Sequence, residues 1–262
     1  MRIGVSFKIV PDYETLLPVE WIEPEQLDFA YIKKMYGCFD EPALEMALRI
    51  KDSLKAGGEE AECVAVTCGV PEGSVSEGLL RALFAAGFDD VVLLPKTGDF
   101  APLDTARALA EYFKENPADL ILTGRMVGPW DSGTVPFYLA EELKFSVFAE
   151  VVSARFDAGA GHIELTCCDG QWERLYGLKE PAVATVGDAE AAYLRLFPLK
   201  ARMEAKKRVF TNGKPWTEYT ADSHIDLRCV ETTSGECRFI ETQSAEDAAS
   251  KLIVILKGED TL

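Results

Sequence analysis

Basic residues are scarce in this chain. Its 262 residues carry 27 Lys and Arg against 44 Asp and Glu, a formal net charge of −17. Phosphate backbones are gripped by Lys- and Arg-rich surfaces, so this balance excludes a general nucleic-acid binder. Histidine is scarcer still: His162 and His224 stand alone. The seven cysteines, Cys38, Cys63, Cys68, Cys167, Cys168, Cys229 and Cys237, form no Cys-x-x-Cys. The ligand spacing of a zinc or iron–sulfur site is therefore missing. No Gly-x-Ser-x-Gly or P-loop pattern occurs, which leaves a hydrolase or ligase built on Lys8, Arg125 and Asp131 with little support. No apolar run is long enough to span a bilayer, and Met1-Arg2 leads into a strand-like segment without a signal peptide's apolar stretch. The expectation is a cytoplasmic, reduced protein with no membrane insertion.

What is present is an ordinary globular mixture, 48% apolar and 27% charged, long enough to bury a large core. Ile3 to Ile9 alternates too little for a half-exposed strand and predicts a buried parallel one. Asp40 to Leu54 sets Ala43, Leu44, Ala47, Leu48 and Ile50 on one helical face, with acids in the first turn. Strands are then expected at Ala61–Thr67, Val91–Leu94 and Leu120–Thr123, and helices at about Ser74–Ala86 and Pro102–Phe113. Such alternation predicts an α/β fold with a doubly wound, mostly parallel sheet, because parallel strands need crossover connections. After Leu143 come short strand-like runs at Val147–Ala154, His162–Cys168, Trp172–Leu178 and Ala182–Val186, expected as antiparallel strands appended to the sheet. A polar connection over 187–215 leads to a tail with an amphipathic helix at Ala245–Leu256. Its apolar stripe, Ala248, Ala249, Leu252, Ile253 and Leu256, must bury against a partner or its own domain.

The most informative stretch is 116–143. An apolar strand ends in Thr123-Gly124-Arg125, and a loop with Pro129, Asp131 and Gly133 enters a helix expected from near Ser132 through Leu143. This order aims a helix N-terminus at the crevice beyond the strand, a place to hold a phosphate. Asp131-Ser132-Gly133-Thr134 reads either as a phosphate loop or as a plain helix cap. Ligands of open α/β sheets lie beyond the carboxyl ends of strands, which makes Phe7, Lys8, Ile9, Cys68 and Gly69 candidate lining residues. The plain alternatives are a solvated charge for Lys8 and a small buried residue for Cys68. Trp130 either stacks on a base or flavin or packs against the loop. Cys167 and Cys168 point to opposite faces of a strand, which favours packing over a vicinal disulfide.

The order of these segments resembles the β subunit of the electron transfer flavoprotein family over nearly the whole chain. Lys8-Ile9-Val10-Pro11-Asp12 is similar to the family's opening strand and loop, and Phe39-Asp40-Glu41 with 43–51 to its first helix. Ala85-Ala86-Gly87-Phe88-Asp89 resembles its A-x-G-A-D turn, and Leu120 to Arg125 the strand that ends T-G-K. Pro181 to Val186 and Ala205-Lys206-Lys207 match two later landmarks. Pro129, Thr134, Pro136 and Gly37 stand where the family often has Asp, Gln, Gly and Asn, so the chain is a divergent member. The resemblance implies a Rossmann-like fold of the adenine-nucleotide-binding type. It implies a heterodimer whose α subunit carries the redox-active FAD, while the β subunit holds AMP or, in bifurcating members, a second FAD. Electrons then pass between flavin dehydrogenases and an acceptor, with no catalytic triad. Carried onto this chain, the nucleotide would be lined by Phe7, Lys8, Ile9, Cys68, Gly69, Gly124, Arg125, Asp131, Ser132, Gly133, Thr134 and Val135. Redox partners would dock on Arg195–Lys207, with Arg195 and an exposed Leu199 on a short helix near Pro198; a leucine tucked into its own core is the alternative. The expected divisions are a nucleotide-binding domain at 1–190, a docking connector at 191–225 and a C-terminal arm at 226–262. A universal-stress-like nucleotide-binding regulatory module is the alternative function.

Overall fold

The computed structural model describes residues 1–12, 15, 32–69, 74–95, 102–127, 132–214, 239 and 241–258. It divides into two units, Met1–His224 and Ile225–Leu262.

The first unit is built on a nine-stranded sheet. Its strands are β1 (Arg2–Ser6), β4 (Glu62–Cys68), β5 (Asp90–Leu94), β6 (Leu120–Gly124), β7 (Ser146–Asp157), β8 (His162–Cys168), β9 (Glu173–Gly177), β10 (Ala182–Val186) and β11 (Thr211–Asn212). They lie in the order β11-β5-β4-β1-β6-β10-β7-β8-β9. The central strands read as unbroken apolar runs because both faces are covered. Ile3, Val5, Cys63, Ala65, Leu120 and Leu122 pack into one core with α1 (Asp40–Ala56) and α2 (Ser74–Ala86). Val64, Val66, Ile121 and Val183 pack into the other with α3 (Pro102–Glu115) and α4 (Val135–Leu143). The side-chain period of two along each strand thus feeds both layers, which is the Rossmann-like arrangement. Among the described residues no helix is long and apolar enough to cross a membrane.

Two expectations need correction. The strand read over Ile3–Ile9 stops at Ser6, and β2 (Ile9–Pro11) pairs instead with β3 (Lys34–Tyr36) in a small antiparallel sheet. The cause is local: Phe7 N–H still bonds Val66 O at 3.1 Å, but Lys8 N–H donates to the Asp40 carboxylate at 2.9 Å and leaves the ladder. Nor are all four runs after Leu143 antiparallel additions. β10 lies between β6 and β7 and pairs in parallel with both; among the described residues of the large sheet, the antiparallel pairs are β7–β8 and β8–β9. All five residues of β10 are buried, as a Val- and Ala-rich interior strand requires.

Helix α1 is buried well beyond the apolar face its spacing predicts. Even Lys51 is 5% exposed, because its ammonium bonds Gly87 O at 2.9 Å and Asp89 Oδ2 at 2.5 Å. Asp89 also accepts Cys63 N–H at 2.7 Å, so one carboxylate ties α1 to the start of β4. Asp89→Ala should therefore lower stability by about 2 kcal/mol, the Asp89 side chain being partly exposed. Urea unfolding measures this; a loss below about 0.5 kcal/mol would assign the pair no structural weight.

In the second unit, α6 (Ala245–Gly258) is preceded by Ser244, whose hydroxyl accepts Asp247 N–H at 3.2 Å and so caps it. Leu252, Ile253 and Val254 stand exposed along it.

Candidate functional site

The carboxyl ends of β1, β4 and β6 meet at a crevice whose floor is organised by Asp40, the first residue of α1. Its Oδ2 accepts Lys8 N–H at 2.9 Å and its Oδ1 accepts Gly124 N–H at 3.1 Å. The carboxylate thereby bridges the exits of two neighbouring strands, β1 and β6. The fit requires glycine at Gly124: a Cβ there would lie 2.5 Å from Asp40 Oδ1 and 2.8 Å from the backbone of Phe39 and Asp40. Arg125 follows, its guanidinium 4.1 Å above the Phe39 ring and its Nη1 donating to Glu150 Oε2 at 3.1 Å. Glu150 reaches it from a bulge in β7, with φ of 53° and its N–H on Thr185 Oγ1. Bulges re-aim side chains in this way beside functional sites.

The far wall is the opening of α4. The helix begins at Val135, not near Ser132, because Gly133 sits at φ +64° and passes so close to Arg125 that a Cβ would lie 2.8 Å from its carbonyl oxygen. Pro136 then occupies the first turn, where its missing N–H has no intrahelical acceptor. Thr134 is the N-cap but makes no side-chain cap hydrogen bond; its Oγ1 and Ser132 Oγ bond each other at 2.7 Å. The capping alternative is therefore not met by Ser132, and the first-turn amides are left uncapped by either hydroxyl. Asp131 and Trp130 lie outside the described residues.

Seven of the residues singled out from sequence line this crevice: Phe7, Lys8, Cys68, Gly124, Arg125, Gly133 and Val135. Ser132 and Thr134 sit beside it at the helix start. Ile9 does not line it; its side chain is in the core, 3% exposed. Gly69 lies just past β4, its N–H on Leu94 O. The sequence reading missed Asp40, Thr105 and Thr123, which also line the crevice. Thr123 Oγ1 and Arg125 Nε are buried with no hydrogen-bond partner. Buried polar atoms without partners are few in proteins, and two at one crevice suit a ligand with its own polar groups. Outside this lining, burial and then the Asp40 charge push the Cys38 thiol up, opposed more weakly by backbone hydrogen bonds and Arg125. Cys167 and Cys168 form no disulfide with each other. No group of three or more His, Cys, Asp or Glu could hold a metal among the described residues.

A second feature is the segment after β10. Leu194 N–H bonds Glu41 at 3.2 Å, and Arg195 N–H bonds Glu45 Oε2 at 2.9 Å. The Arg195 guanidinium then grips Glu45 Oε1 at 3.0 Å and Asp52 Oδ2 at 2.6 Å. Arg195 is thus turned inward onto α1. The short helix α5 (Leu199–Ala205) starts at Pro198, and its far end is held by Arg81, whose Nη1 donates to the carbonyls of Ala205, Lys206 and Arg208. Between these clamps Phe197 packs inward, while Leu196 is 99% exposed and Leu199 73%. Leu199 is not tucked into the core. Tyr193 and Met203 stand exposed beside the two leucines. Leu196 was not legible as an exposed anchor, since only the inward turn of Arg195 and Phe197 forces it out.

Comparison with known proteins places the chain by family. The family model of the electron transfer flavoprotein domain matches residues 38–214. The chain is 30% identical to the "Putative electron transfer flavoprotein subunit YgcR" of Escherichia coli (strain K12), over 96% of each chain. It is 28% identical to the electron transfer flavoprotein subunit beta of Bradyrhizobium diazoefficiens, over 96% of this chain and 97% of that one. It is 27% identical to the electron transfer flavoprotein subunit beta of Homo sapiens, over 96% of each.

Proposed function

The chain belongs to the electron transfer flavoprotein family as a divergent relative of its β subunits, and from that premise we propose that it pairs with an FAD-carrying α subunit and holds an adenine nucleotide in the β1–β4–β6 crevice. The crevice is the observation that supports the nucleotide most. Phe7, Val127, Val135 and Pro136 offer apolar surface for a base; Thr123 and Arg125 offer buried polar atoms without partners; the start of α4 offers main-chain N–H groups. AMP and the adenosine half of a second FAD share this chemistry. When bound, a flavin supplies reversible electron uptake; the work of this chain is binding and orientation.

The segment 194–210 would serve docking. Its two clamps hold Leu196 and Leu199 out in water without losing order, so little conformational entropy is lost when a dehydrogenase covers them. Arg195 contributes by fixing the segment to α1, not by reaching the partner. The exposed Leu252 and Ile253 of α6 would dock on the α subunit, burying side chains worth on the order of 1.5–3 kcal/mol each before entropy. A universal-stress-like module shares the α/β topology but, as read from the sequence, would lack the added strands, the clamped 194–210 segment and the tail helix α6.

Co-purification with the α subunit, followed by acid release and quantification of flavin and AMP per heterodimer, tests the reading. One flavin with one AMP is the result expected of a simple carrier, and two flavins of a bifurcating one. Release of neither nucleotide from the β chain's share would remove the crevice from the function.

A further inference from the structure

Helix α5 is seven residues long, too short to keep its order in water without help from its surroundings. What it turns toward the core is small: Ala201 and Ala205, one turn apart. Two methyl groups leave such a helix free to roll, so packing alone does not set where its outer face points. That outer face carries Leu199 and Met203, also one turn apart and both exposed. Its direction is set from α2. Arg81 Nη1 donates to the carbonyls of Ala205 at 3.3 Å, Lys206 at 3.1 Å and Arg208 at 3.2 Å. The cation lies at the negative end of the helix dipole. Glu77, one turn earlier on α2, holds the guanidinium at 2.7 Å, and the Phe210 ring lies 5.1 Å from its carbon. Phe210 in turn stacks on Phe84 at 5.8 Å, and Arg208 covers Phe84 at 4.6 Å. Two arginines and two phenylalanines thus interleave α2 with the chain leaving α5. Meeting three carbonyls and a ring at once takes a planar fork; an ammonium would keep the charge and lose the geometry.

We propose that Arg81 is the positioning residue that aims α5, and that Met203 is a further docking anchor on the face so aimed, beside Leu199. The inference rests on the docking reading above and adds to it the residue that sets the anchor geometry. An unbranched thioether adapts its shape to the apolar pocket it enters, which suits a position that meets a dehydrogenase surface. Steady-state transfer from a flavin dehydrogenase that reduces the reconstituted heterodimer tests it, in a cycle of single and double variants. Arg81→Lys should raise KM for the dehydrogenase about tenfold with kcat at saturation retained, although the charge is kept. Met203→Ala, a change to an exposed side chain that leaves the fold intact, should raise KM about fivefold on its own. In the Arg81→Lys background it should add little, since a misaimed helix no longer presents that side chain. Arg81 and Met203 acting independently, their effects multiplying in the double variant, would overturn the proposal. So would an unchanged KM in either single variant. The leucine pair separates the two readings: if Leu196→Ala with Leu199→Ala slows transfer while these variants do not, docking stands and the role of Arg81 and Met203 falls. If the leucine variant has no effect either, the docking reading falls and this inference with it.

Discussion

Gly124→Ala should destabilise the protein by at least about 3 kcal/mol and abolish retention of any adenine nucleotide. The added methyl has no space to yield into. Two of its three nearest neighbours are backbone atoms, Asp40 N and Phe39 C at 2.8 Å, and the third is the buried Asp40 carboxylate at 2.5 Å. Relief would require lifting the first turn of α1 from the end of β6. That movement would break the Gly124 N–H and Lys8 N–H bonds to Asp40 and pull Phe39 from beneath Arg125. Binding and stability are lost together because one carboxylate organises both. Gly78→Ala is the matched control: it lies within α2 with nothing near its missing Cβ, and the change should stabilise by roughly 0.5–1 kcal/mol. Urea midpoints of the two variants, with nucleotide content measured on each, separate a local clash from a general effect of adding a methyl group. Near-equal midpoints for both would show that the β6–α1 contact is loose.

The sequence reading succeeded where one rule acts alone and failed where two distant residues compete for one group. The helix at Ser74–Ala86 was legible to the residue, and Pro102 and Leu143 marked true ends, because periodicity and punctuation agree there. The start of α4 was placed three residues early because Ser132 looked like a cap; the positive φ of Gly133 is imposed by the passage of Arg125, which no local pattern reports. The break after β1 was invisible for the same reason, since Asp40, far away in sequence, takes the Lys8 N–H from the ladder. An acid at the first position of a helix reads as a favourable charge at the dipole's positive end. Asp40 meets that rule and so concealed its larger role, which depends on Gly37 and Gly124 converging on it. The interior position of β10 was in principle legible: Ala182 to Val186 is apolar or small throughout, and it lacks the alternation of a half-exposed antiparallel strand.

The largest functional effect is expected from Leu196→Ala combined with Leu199→Ala, which should slow electron transfer to a flavin dehydrogenase by roughly 30-fold or more, the loss of a well-buried docking anchor being worth about 2–4 kcal/mol. The argument starts from cost. Leu196 at 99% exposure and Leu199 at 73% gain nothing for the isolated fold, so their removal should leave its urea midpoint within about 0.5 kcal/mol. The surrounding segment is nevertheless held by a bidentate Arg195–Glu45 pair on one side and three carbonyl bonds from Arg81 on the other. A docking task would account for such clamps around two exposed apolar side chains. Glu45→Ala offers the complementary test, because it leaves both leucines in place and frees the segment instead. It should weaken docking through lost order, raising KM for the dehydrogenase while kcat at saturation is retained. If the double-leucine variant transfers electrons at the original rate, with its complex with the α subunit intact, the docking face lies elsewhere on the molecule.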